Sequence, residues 1–156
     1  MDEKFRAYTE ELHPKFEALM GMTPVTTGTL PREIRGAGVY MFSENGRHLY
    51  VGRTRNVRNR YGQHTRTGTG HNNAPFAFKL AREATGILRS TYKSDETSRA
   101  NLMLNQDFLA AFNDALARMR KMEFRFVEEV DATRQCLLEI YVSVVCCSPY
   151  NDFDTH

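Results

Sequence analysis

This sequence predicts an α+β fold: a small, mostly antiparallel three-stranded sheet flanked by helices, with extra helices at the N-terminus and in the middle. Three observations lead there. Residues 38–42 and 47–51 are rich in β-branched and aromatic side chains and flank Asn45-Gly46, the strongest short-range hairpin signal. A third run, 122–130, alternates Phe124 and Phe126 and then carries Val127 and Val130, a strand with room for a bulge. Around these runs, apolar residues recur at three- and four-residue spacing, which is the helical period.

Taken in order, Phe5, Tyr8, Leu12, Phe16 and Leu19 predict an amphipathic N-terminal helix over 2–20, kinked or split by Pro14. Residues 21–37, rich in Gly, Pro and Thr, form an irregular connection. After the hairpin, 56–64 carries Val57 and Tyr61 one turn apart and predicts a short, strongly basic helix. A polar loop follows over 65–74. Residues 75–85 then form a helix with Pro75 in its first turn and Gly86 just past its end. Residues 87–97 are a polar connection. Leu102, Leu109, Phe112, Leu116 and Met119 make 98–119 the longest helix. Past the third strand, Asp131 suits the N-cap of a last element running to about Cys147. The type of that element stays open on the residues alone. Val142, Val144 and Val145 favour strand, whereas Leu138, Tyr141 and Val145 have helical spacing.

At 156 residues the chain fits one domain, here a core of 36–64 and 122–152 with a helical insertion over 65–121. No run of about 18 apolar residues exists, so a membrane partner is not expected. The mixed-charge start, Met-Asp-Glu-Lys-Phe-Arg, has the wrong character for a signal peptide. Cys136, Cys146 and Cys147 form no Cys-x-x-Cys pair, which excludes a cysteine-rich zinc site and suits reduced thiols. The expected location is the cytoplasm.

The net charge of +2 conceals a segregation. No Asp or Glu occurs from Asn45 through Arg82, a stretch holding Arg47, Arg53, Arg55, Arg58, Arg60, Arg66, Lys79 and Arg82. The rest of the chain is acidic in balance. A basic stretch in an otherwise acidic protein is what a polyanion-binding face requires, although charge alone fits a solvated arginine-rich surface equally well. Arg55 and Arg58 are the expected phosphate contacts, and Arg66, in the loop behind the basic helix, is expected to contact nucleic acid. His71, Asn72 and Asn73, in the donor-rich loop behind the basic helix, are expected to contact nucleic acid.

Gly38-Val39-Tyr40 is followed by Tyr50-Val51-Gly52. Arg53 comes next, Arg60 stands ten residues past Tyr50, and His64 four beyond that. Far downstream, Glu139 precedes Ser148-Pro149-Tyr150-Asn151, with Asn151 twelve residues past Glu139. Singly, each has a bland reading: strand aromatics for the tyrosines, a helix C-terminal histidine for His64, a turn residue for Asn151. Together, in this order and at these offsets, they resemble the GIY-YIG nucleases. The resemblance covers 38–64 and 122–151; it leaves 1–30 and 65–121 unexplained.

The resemblance implies a divalent-metal-dependent endonuclease, with Mg²⁺ the expected ion and Mn²⁺ a substitute. It implies products with 5′-phosphate and 3′-hydroxyl ends. The site would hold Tyr40, Tyr50, Arg53, Arg60, His64, Glu139 and Asn151 as catalytic residues, with Glu139 as the metal ligand. The chemistry agrees. Phosphodiester hydrolysis needs a base for water and positive charge for the phosphate oxygens. Arg60 can bond phosphate in a two-pronged way. Tyr40 can act as base only where a neighbouring cation favours phenolate, and His64 is the alternative. DNA is the expected substrate. A ribonuclease using the same site, or a binding module with a dead one, are the competing readings. Cutting both strands with one site per chain calls for a homodimer or two sequential nicks.

Overall fold

The central hairpin forms because Asn45 and Gly46 both take positive φ, at 52° and 75°, matching the twist of the strands they join. In the computed structural model, which describes residues 1–87 and 98–154, these strands are β1 (Gly38–Glu44) and β2 (Arg47–Thr54). The third, β3 (Glu123–Glu128), pairs antiparallel with β1, so the order is β2-β1-β3. The β1–β3 register is continuous. The irregularity falls instead between Phe42 and Ser43, against β2.

Two compact units make up the chain: residues 1–60 with 122–156, and residues 61–121. The second starts inside α3 (Val57–Thr65), four residues ahead of the boundary expected from sequence.

In the first unit, the N-terminal segment is two helices, α1 (Glu3–Glu10) and α2 (Leu12–Gly21). The break falls at Glu11, so Pro14 sits in the first turn of α2, where a missing N–H costs no helical bond. The last element is a helix, α7 (Ala132–Val145), capped by the Asp131 side chain on Arg134 N at 2.8 Å. Packing resolves its type. Leu138 and Val142 of α7 join Leu12 and Leu19 of α2 over Val39, Met41, Val51 and Val127 of the sheet, a dry core that fixes the helix by burial. The opposite sheet face carries a stack of Tyr40, Phe42 and Phe124, with Phe42 and Phe124 centroids 5.1 Å apart. Behind α7, the buried Glu129 carboxylate receives Arg134 Nε at 3.1 Å and Lys15 Nζ at 3.8 Å, tying α2 and the start of α7 to the end of β3.

The second unit is helical: α4 (Pro75–Thr85), α5 (Arg99–Leu104) and α6 (Gln106–Lys121). Phe76, Phe78, Phe108, Phe112, Leu116 and Met119 are buried, Phe78 and Phe108 lying 5.1 Å apart. The single helix expected over 98–119 is divided at Asn105. Its backbone is extended, and its side chain accepts from Phe108 N at 3.1 Å, so it caps a new helix instead of continuing the old one. Gly86 ends α4 in the left-handed conformation at φ 74°. The polar connection expected over 87–97 lies, beyond residue 87, outside the described residues. Among the described residues no helix is long and apolar enough to cross a membrane.

Candidate active site

The site is built at the free edge of the sheet, on β2. Tyr40 pairs across the hairpin with Gly52, and Tyr50 pairs with Phe42, so the two tyrosines share a face with ring centroids 6.4 Å apart. A β-carbon on Gly52 would overlap Oη and Cζ of Tyr40. The glycine is therefore the floor on which the Tyr40 ring lies. Gly38 has an equivalent reason: a β-carbon there would overlap the Val127 carbonyl oxygen and the Phe126 ring. Both glycines of the paired motifs are set by close approach across the sheet.

Arg60, on α3, donates from Nε to Tyr40 Oη at 3.1 Å, and Tyr50 joins the same hydrogen-bonded group. The helix start is secured by Asn56, whose Oδ1 accepts from Asn59 N at 3.1 Å. Burial pushes the Tyr40 hydroxyl far above the usual tyrosine range, and Tyr50 adds to this, while Arg60 pulls it back only in part. Tyr50 is also raised by burial, against the pull of Arg60. Both hold their protons at neutral pH.

Arg53 shares strand parity with Val51 and Val39, the face that α7 covers. Its Nε donates to Glu139 Oε2 of α7 at 3.1 Å. The Glu139 side chain is 20% exposed, and burial raises its carboxyl above the usual range despite the pull of Arg53 and then Arg60. The constellation thus wraps the β2 edge instead of occupying one sheet face: Tyr40, Tyr50 and Arg60 come from one side, Arg53 and Glu139 from the other. Glycine at 52 is what lets the tyrosine reach across.

Asn151 closes the edge. Its Oδ1 accepts from Val51 N and its Nδ2 donates to Val51 O, both at 2.8 Å, and Tyr150 N donates to Leu49 O at 3.2 Å. Asn151 therefore occupies the free backbone groups of an edge strand, a positioning contact beside Tyr50 and Gly52. The turn that delivers it follows α7. Cys147 takes φ 49°, and Ser148 N and Cys147 N return to Ser143 O and Val144 O at 3.0 and 3.2 Å, a Schellman arrangement.

The other expected residues fall as follows. His64 stands on the last turn of α3, fully buried, in the second unit. That burial removes the solvated helix-end reading. Arg55 is exposed on the loop before α3. Arg58 is exposed and braces the 30–34 segment: it donates to the carbonyls of Pro31 at 2.7 Å, Ile34 at 3.2 Å and Leu30 at 3.3 Å. Arg66 is exposed in the second unit, beside Gly62. There, His71 leans on the Phe78 ring at 6.0 Å, with burial and Arg99 lowering its pKa, so it packs as a neutral ring. Asn72 and Asn73 are exposed.

Among the described residues no group of three or more His, Cys, Asp or Glu side chains gathers in metal-binding range. A single desolvated carboxylate at the edge fits Mg²⁺, which keeps most of its shell as water and phosphate oxygen.

The family model described as GIY-YIG catalytic domain matches residues 36–142, and the chain belongs to that nuclease family. No curated protein and no solved structure matches it.

Proposed function

We propose that this nuclease is a divalent-metal-dependent endonuclease acting on DNA. The observation that carries the reading is the Arg60–Tyr40 contact laid over Gly52 together with the Arg53–Glu139 pair on the same edge strand, chemically distinct groups drawn from β1, β2, α3 and α7. Arg60 is the phosphate ligand: its guanidinium is anchored through Nε on Tyr40, which orients it before substrate arrives, and preorganised charge is what stabilises the developing negative charge. Tyr40 is the base assignment: Arg60 on Oη favours phenolate but does not overcome burial in the free protein, so the assignment requires the added positive charge of a bound metal ion to release the proton. His64 is the alternative base, one turn along α3. Glu139 would hold Mg²⁺ or Mn²⁺, which supplies charge for the leaving oxygen when bound. Tyr50 and Asn151 position the others.

The reading is tested with plasmid DNA and a matching RNA, with Mg²⁺ or with EDTA. Plasmid should be nicked or linearised only with metal. Tyr40→Phe, Arg60→Ala and Glu139→Gln should each lose about 10²-fold or more in rate while remaining folded by circular dichroism. Undiminished cutting in EDTA, or full activity in Glu139→Gln, would end the metal assignment. Cleavage of RNA in preference to plasmid would replace the substrate.

A further inference from the structure

Arg53 and Glu139 meet only because β2 and α7 pack together. The pair is asymmetric. At 3.1 Å between Nε and Oε2, the arginine side chain is 48% exposed and the glutamate 20%. The carboxylate has surrendered most of its water, whereas the guanidinium can return to solvent at little cost. A guanidinium that is half in solvent compensates a carboxylate that has lost most of its water only in part. A cation of higher charge would meet that deficit better.

We propose that Arg53 is an exchangeable counter-cation of Glu139: it occupies Oε2 until a divalent ion binds the carboxylate, then yields that oxygen and turns its retained charge toward substrate phosphate. This rests on the metal-ligand reading of Glu139 given above. Two physical points support exchange. A guanidinium in contact with the carboxylate stands within a few ångströms of any ion that carboxylate would hold, and like charges that close repel. Arg53 also lies on the same edge strand as Tyr50 and Gly52, so a released guanidinium stays beside the cluster. Metal and nucleic acid would then strengthen each other's binding, by reciprocal linkage. The rival arrangement has Arg53 orienting the carboxylate through Oε2 while Oε1 faces the ion, as partners of metal ligands often do. It predicts the opposite sign.

Mn²⁺ titration of the purified protein without nucleic acid, followed by electron paramagnetic resonance of the free ion, separates the two. Arg53→Ala should bind Mn²⁺ about threefold to tenfold tighter than the parent, the scale expected for losing one partly exposed competing cation. Arg53→Lys, which keeps the charge, should bind close to the parent, and Glu139→Gln should lose the site. Circular dichroism confirms that each variant is folded. Weaker or unchanged Mn²⁺ binding in Arg53→Ala, with binding still abolished by Glu139→Gln, would overturn the exchange and leave the metal ligand standing. Binding that survives Glu139→Gln would overturn both.

Discussion

Glu139 concentrates the cost of the site in one side chain. Its carboxyl is raised by burial, which means that the folded protein carries its charge at a penalty near neutral pH. The sign follows from linkage. Between the ordinary carboxylate range and the raised value, the folded state binds more protons than the unfolded one, so this residue's contribution to stability falls as pH rises through that window. Glu139→Gln removes the charge and leaves Arg53, which is half exposed, to water. The variant should match the parent in acid below the carboxylate range and exceed it at pH 7. Thermal melts at both pH values check this; a Glu139→Gln protein that melts lower at pH 7 would mean the ion pair outweighs the desolvation. Tyr40, Tyr50, Arg53, Arg60 and Glu139 could be singled out as candidates from the chain alone because motif offsets are properties of the sequence. Their distribution around an edge was not, since it depends on strand parity and on a ring lying across Gly52. Arg58 shows the limit plainly. In sequence it is one more arginine of a basic run, and only tertiary folding brings the 30–34 carbonyls to it.

Elements were legible where local chemistry decides them and obscure where packing does. The hairpin, the Pro75 start and the Gly86 stop follow from φ requirements that a few residue types meet. By contrast, α7 contains a valine-rich end whose propensity points to strand, and it is helical because Leu138 and Val142 bury against the sheet. The division at Asn105 is a local competition that periodicity hides: Leu102 and Leu109 keep helical spacing on either side of it. Asn151 links two elements in a way that neither discloses. Its two 2.8 Å bonds to Val51 replace the missing neighbour strand of β2. Asn151→Ala should therefore cost about 1–3 kcal/mol, two hydrogen bonds at a half-buried edge, while leaving the helices intact. Hydrogen exchange at the Val51 amide reads this directly. Protection there should fall more than at Val39 or Met41, in the strand's interior partner; unchanged protection at Val51 would show that the tail does not hold the edge.

At the scale of the molecule, the charge segregation is the property that most bears on substrate. The acid-free stretch from Asn45 to Arg82 runs from the hairpin turn through β2, α3 and the loop into α4. A duplex held by such a stretch should bind through counterion release, so affinity should fall steeply and log-linearly with salt. The structure now distinguishes the arginines within it. Both Arg55 and Arg58 are exposed, but Arg58 also donates to three carbonyls of the 30–34 segment. Arg55→Ala should therefore reduce the salt slope by about one, as expected for one lost phosphate contact. Arg58→Ala should leave the slope near the parent value and lower thermal stability by about 0.5–1.5 kcal/mol, because the 30–34 carbonyls lose a donor at a largely exposed site. Fluorescence anisotropy of a labelled duplex across a salt series, in EDTA to prevent cutting, measures both. Equal slope reductions in the two variants would put Arg58 on the phosphate after all. A salt-independent affinity would mean that the basic stretch is a solvated surface and that substrate is held by the site alone.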